Sequence, residues 1–170
     1  MNVSPQTLRV CSGLLASPGA ESLEALRDLA AEYAWLRSPL AELEGMPLGE
    51  WQAEHTRLFV SGHPKTVCPP FESAFAGGAM FGRACDELGE LYRNAGLQAE
   101  GMPADYLGSI MECAAFLLEQ PCGHSEALLQ ELWLEHLVSW LPDFSRVLQL
   151  ESRVQLYRAL GSQLARLCSE

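Results

Sequence analysis

Along nearly the whole chain apolar side chains recur every three or four residues, in blocks cut apart by proline and glycine. That spacing puts the apolar residues of each block on one helical face, and no stretch of useful length alternates as a half-buried strand would. A chain written this way can cover its apolar surface only by packing helix on helix. Ser4-Pro5 starts the first block, with serine able to cap free amides and proline placed where its missing donor costs nothing. Leu8, Cys11, Leu14 and Leu15 form the stripe, and Ser17-Pro18-Gly19 ends it. A second helix runs from about Glu21 through Leu23, Leu26, Leu29, Ala30, Tyr33 and Leu36, and a short turn covers Pro39 to Glu44. Further helices are expected over about 48–60, 79–95 (buried through Met80, Phe81, Cys85, Leu88 and Leu91), 104–119 and 125–141. A last helix is expected from Asp143 to near Cys168, with Val147, Leu150, Val154, Tyr157, Leu160 and Leu164 on one stripe. The expected fold class is all-α: a single domain over residues 1–170, a bundle of about seven to nine helices.

Charge narrows the partners. The chain carries 22 acids against 11 bases, a net charge of −11, with Lys65 its one lysine. Such a surface repels nucleic acid and anionic lipid, whose binding needs basic patches, and attracts a basic peptide; acidity that serves solubility alone is the competing reading. No run of about eighteen apolar residues exists to span a membrane, so no stable membrane insertion is expected. The N-terminal residues lack the basic segment and apolar core of an export signal, which points to the cytoplasm. Six cysteines, Cys11, Cys68, Cys85, Cys113, Cys122 and Cys168, are scattered without a C-x-x-C pair. Reduced thiols are expected, and neither a zinc site nor any other cofactor. There is no phosphate-cradling P-loop, no H-E-x-x-H and no G-x-S-x-G elbow.

Residues 54–75, EHTRLFVSGHPKTVCPPFESAF, interrupt the pattern. Trp51, His55, Leu58 and Phe59 share a helical face, with Glu54 and Arg57 one turn apart beside it. Gly62, Pro64, Pro69 and Pro70 then stop the helix, and Phe71, Ser73 and Phe75 follow. So apolar a connection is unusual. Either its aromatic residues plug the core, or the stiff prolines hold a rigid apolar pocket rim.

Glu54-His55-Thr56-Arg57-Leu58-Phe59-Val60 followed by Pro69-Pro70-Phe71-Glu72-Ser73 resembles the signature of the TorD/DmsD/NarJ family, E-Y-x-R-L-F-x-G and then P-P-aromatic-x-S. Pro103-Ala104-Asp105-Tyr106-Leu107 resembles the same family's P-x-D-H-L. The run from His136 through Leu137, Trp140 and Pro142 to Phe144 resembles its H-L-x-x-W-x-P-x-F. The resemblance spans about residues 50–144. His55 stands where an aromatic residue is usual, Ser61-Gly62-His63 replaces G-P-G, Tyr106 replaces histidine, and Ile110 replaces a frequent glutamate.

The resemblance implies a TorD-like helical fold and a cytoplasmic, non-catalytic chaperone, either a monomer or a domain-swapped dimer. Its implied partner is the catalytic subunit of a molybdenum-containing oxidoreductase with its twin-arginine signal peptide, held back from export until cofactor is inserted. The peptide-binding set implied is Glu54, His55, Arg57, Leu58, Phe59, Pro69, Pro70, Phe71, Glu72, Ser73, Pro103, Asp105, Tyr106 and Glu112. In that scheme Leu58, Phe59, Pro69, Pro70 and Phe71 take the hydrophobic stretch, while Glu54, Glu72, Asp105 and Glu112 attract arginines. Asp105, Glu112 and Glu119, seven residues apart, are otherwise the solvated face of their helix, with Ser109 and Phe116 between them. His136, in the middle of an apolar face, reads as a core histidine with a hydrogen-bond partner. Two further classes stay open: a small helical enzyme using His136 or His63 with nearby carboxylates, and an inert helical scaffold.

Overall fold

The helix poorest in polar residues lies in the core between two others. In the computed structural model, which describes residues 3–77 and 82–168, this helix is Leu107–Glu119. Leu107, Gly108, Ile110, Met111, Cys113, Ala114, Ala115 and Leu117 are all buried along it. Small residues at 113–115 let neighbours come close, and helices lie against it on two sides.

Ten α-helices occur among the described residues. They are α1 (Pro5–Gly13), α2 (Ser22–Glu32), α3 (Arg37–Glu44), α4 (Leu48–His55), α5 (Glu72–Phe75), α6 (Arg83–Asn94), α7 (Leu107–Glu119), α8 (Gly123–His136), α9 (Leu141–Glu151) and α10 (Gln155–Leu167). A 3-10 turn, Ala34–Leu36, joins α2 to α3, and a π-helical turn, Thr56–Val60, extends α4. Helices α1 and α8 flank α7, while α9 and α10 pair with each other and α10 rests on α3. The described residues form no strand, only a single bridge between Phe71 and Tyr106. No described helix is long and apolar enough to cross a membrane.

The all-α expectation holds, and the first helix starts as read: the Ser4 hydroxyl accepts from the Thr7 amide at 3.1 Å. The number of helices exceeds seven to nine for local reasons. A four-residue helix, α5, follows the proline loop. The helix expected at 104–119 begins only at Leu107, because Asp105 and Tyr106 pair with the loop, and the one expected at 125–141 ends at His136. The expected start at residue 79, with Met80 and Phe81, lies outside the described residues.

The helix expected from Asp143 to Cys168 is two helices. Ser152 and Val154 are extended, with ψ near 134° and 135°. No proline or glycine causes this break. The amide of Arg153 donates to Glu54 Oε1 at 2.7 Å and that of Gln155 to Glu42 Oε2 at 2.6 Å, so distant carboxylates replace helical carbonyls. The break also resets the helical phase, leaving Leu150 71% exposed while Leu148 is buried. Gly161 lets the two halves close on each other, since a Cβ there would stand 2.8 Å from Gln149 Cγ and 2.9 Å from the Ser145 carbonyl. All six cysteines are free thiols, and burial pushes Cys11, Cys68 and Cys113 up to about 12.

Candidate functional site

The segment that interrupts the helical pattern folds inward. Where α4 widens into the π turn, Ser61 N–H donates to the Thr56 carbonyl at 2.9 Å. Leu58 and Phe59 are thereby carried into the core, 0% and 5% exposed. The Leu58 carbonyl, left over at the helix end, accepts from the returning Cys68 amide at 2.8 Å. Phe59 packs edge-on against His55 and Tyr157, each with ring centroids 5.2 Å away. His55 Nε2 meets the Leu15 carbonyl at 2.9 Å, and since a carbonyl only accepts, that nitrogen carries the proton.

Glu54 is buried and fully engaged. Its carboxylate accepts from Arg57 Nε at 2.7 Å, from Arg57 Nη2 at 2.8 Å and from the Arg153 amide. Arg57 also reaches the Glu151 carbonyl at 2.6 Å, which ties the π turn to the α9–α10 break. Burial pushes the Glu54 carboxyl upward, but the hydrogen bonds from Arg57 and Arg153 outweigh it and hold the group below the usual carboxylate range.

The second half of the motif is knotted to the Pro103–Leu107 segment. Asp105, 1% exposed, accepts from the Ser73 amide at 3.1 Å and from the Cys85 thiol at 2.9 Å. Around it the Asp105 carbonyl accepts from Glu72 N, the Pro70 carbonyl accepts from Leu107 N, and the Phe71 and Tyr106 rings lie 5.7 Å apart. Asp105 therefore caps the first amides of α5 instead of facing water. Glu72 meets His136 Nδ1 at 3.0 Å inside the core, and Trp140 Nε1 donates to the His136 carbonyl. Burial alone would lower the His136 pKa; the Glu72 carboxylate outweighs it and raises it above the ordinary histidine value.

These sequence motifs are thus largely one internal joint, and most of the implied peptide-binding set is sealed within it. Glu54, His55, Leu58, Phe59, Pro70, Glu72, Ser73 and Asp105 are buried, while Arg57, Pro69, Phe71, Pro103 and Tyr106 are half-buried. The expectation that Glu54, Glu72 and Asp105 attract a peptide's arginines is corrected, because all three are buried and already hold internal donors, Glu54 and Asp105 through both oxygens and Glu72 through Oε2. His136 is likewise sealed with Glu72, and His63 sits exposed on the loop. The histidine–carboxylate enzyme site is therefore corrected as well: neither histidine lines either cavity described below. No described cluster of three His, Cys, Asp or Glu side chains could hold a metal ion.

Open surface lies elsewhere. A cavity of about 420 Å³ runs along the seam of α1, α7 and the connection before α7. Tyr92, Tyr106, Cys113 and Phe116 supply its apolar lining, and Glu100 and Glu112 its acids. The seam stays narrow because the Ser12 hydroxyl donates to the Gly108 carbonyl at 3.1 Å. A Cβ at Gly108 would run into the Tyr106 ring folded over it, so any larger residue here would have to push that ring aside. A second cavity, about 380 Å³, lies on the other flank of α1 between Val10, Leu14, Leu26, Leu29 and Trp51. Arg9 is the one residue common to both linings. Its guanidinium grips Glu119 with both Nη atoms, Nη2 at 2.7 Å from Oε2, and its Nε lies 3.6 Å from Glu112.

Of the implied set, Tyr106 and Glu112 alone line the first cavity. Arg9, Ser12, Phe116 and Met102 were not anticipated there. One signal was present: Phe116 is a large aromatic residue among the acids of the polar side of α7.

Residues 14–146 match the family described as nitrate reductase delta subunit. Among solved structures, the chain is similar to a candidate redox enzyme maturation protein from Archaeoglobus fulgidus, with a TM-score of 0.76 and 23% identity. That match covers 100% of this chain and 96% of the other. No curated protein sequence matches.

Proposed function

We propose, from the premise that this chain belongs to the nitrate reductase delta subunit family, that it is a cytoplasmic, non-catalytic maturation chaperone of the TorD/DmsD/NarJ kind. Its client is the catalytic subunit of a molybdenum-containing oxidoreductase, held by the twin-arginine signal peptide or the immature body until cofactor is inserted. The observation that carries the reading is the half-open cavity at the α1–α7 seam, apolar on its floor and acidic at Glu100 and Glu112. An amphipathic segment with arginines next to an apolar run matches both surfaces, laid in as a helix or extended chain is laid in a groove. A net charge of −11 draws such a segment in and repels nucleic acid.

The buried joint has a supporting role in this scheme. By locking the proline loop onto α7, it fixes Tyr106 and the connection that forms the cavity wall. The test is calorimetric titration with the twin-arginine peptide of the neighbouring-gene oxidoreductase, against the same peptide with both arginines changed to glutamine. The native peptide should bind about two- to fivefold tighter, the scale of half-exposed charge pairs, and Glu112→Gln should erase most of the difference. Equal affinities would remove the electrostatic half of the mechanism. Absence of binding by either peptide, and by the immature subunit, would refute the reading.

A further inference from the structure

Glu112 and Glu119 stand two turns apart on one face of α7, so one guanidinium lying between them can address both. In the free chain that guanidinium is Arg9, contributed by α1 across the seam. The pairing is uneven. Glu119 receives the two-pronged contact that guanidinium and carboxylate geometry favours, whereas Glu112 sits 3.6 Å away with no hydrogen bond to Arg9. Neither end is sealed: the Arg9 side chain is 38% exposed and those of Glu112 and Glu119 are 50% and 39%. Half-exposed pairs of this kind are weak and exchangeable. Arg9 is also the residue shared by the linings of the two cavities on either flank of α1.

We propose that Arg9 is an internal stand-in for the client's arginine: it occupies the Glu112–Glu119 pair in the free protein, and an incoming arginine must displace it. The acidic cavity then takes the basic group at the α7 end, and the apolar one on the far flank of α1 takes apolar side chains between Leu14, Leu29 and Trp51. The contact is autoinhibitory: a guanidinium ligand has to displace Arg9 before it reaches the Glu112–Glu119 pair, and its affinity is lowered by that cost. This inference rests on the chaperone reading above for its natural ligand, but not for the latch itself.

The test uses the full chain, wild type and Arg9→Gln, with two probes. The first is N-acetyl-argininamide, titrated at low salt while the side-chain carboxylate carbons of Glu112 and Glu119 are followed by NMR. Arg9→Gln should take up this probe up to about fivefold more tightly than wild type, the most that an exposed pair withholds. Arg9→Lys, which keeps the charge but not the fork, should fall between them. The second probe is the twin-arginine peptide, which should gain by the same factor in Arg9→Gln, while its double-glutamine version should not. Unchanged or weaker uptake of N-acetyl-argininamide by Arg9→Gln overturns the latch, even if wild type binds the peptide well. Tighter uptake of that small probe with no binding of either peptide, or of the immature subunit, leaves the latch standing and refutes the chaperone reading. A thermal melt of Arg9→Gln within a few degrees of wild type, as expected for loss of one exposed pair, confirms that the comparison is between folded proteins.

Discussion

Replacing Glu54 should cost more than any exposed carboxylate in the chain, and the structure sets the size. Glu54→Ala removes the acceptor for two Arg57 donors and for the Arg153 amide. Breaking a buried pair from one side costs about 3–5 kcal/mol. Here Arg57 keeps the Glu151 carbonyl, and its side chain is 23% exposed, so water recovers part of the loss. The Arg153 amide has no such recourse, and an orphaned donor costs about 1–3 kcal/mol. Together these point to a loss of about 3 kcal/mol, a fall in Tm of roughly 6–12 °C for a chain of this size. Glu54→Gln retains an acceptor oxygen and should lose about half as much.

The pH dependence adds a second constraint. Burial raises the Glu54 pKa, but Arg57 and Arg153 bring the net value below the ordinary one. A lowered folded pKa contributes stability that is present above the unfolded carboxylate range and lost as pH falls through the folded value. The gap between wild type and Glu54→Gln, followed by circular dichroism in urea, should therefore close on acidification. A gap for Glu54→Ala below about 0.5 kcal/mol at neutral pH, the range of ordinary surface changes, would refute the reasoning; so would a gap that widens in acid.

Gly161→Ala would gain about 1 kcal/mol on helix propensity alone, yet the new Cβ meets the Ser145 carbonyl, so urea denaturation should show a net loss of about 1–3 kcal/mol. A stabilised variant would mean that α9 and α10 are less tightly opposed than described. His136→Gln tests the buried pair with Glu72, with Glu87 and Glu131 as the more distant charges acting on His136. Because the folded pKa is raised, the pair's contribution is complete below the unfolded histidine value of about 6.5 and fades as pH rises through the folded value. Wild-type stability measured against His136→Gln should decline over that window, and a pH-independent difference would exclude a charged pair.

Local features were legible in the chain because their causes are local. Ser4 caps α1, Pro18-Gly19 separates α1 from α2, and the 3.6-residue stripe through Leu107, Ile110, Met111, Ala114 and Leu117 marks α7 as a core helix. The break at Ser152–Val154 was not legible, because it is made by Glu54 and Glu42, 99 and 113 residues from the amides they accept. Likewise the periodicity that placed Leu150 with the core holds only if the helix runs unbroken.

The candidate site divides along the same line. Sequence motifs singled out Glu54, Glu72, Asp105 and His136, but a carboxylate is written identically whether water or a thiol faces it. Only packing decided that Asp105 meets Cys85 and Ser73, and that Glu72 meets a histidine 64 positions away. Helix class and the α1 cap follow from neighbours in the chain, through backbone geometry and apolar spacing. Which acids remain open, Glu112 among them, and that Arg9 crosses 110 positions to hold Glu119, depend on how helices stack, where burial and charge pairing are settled by distance in space.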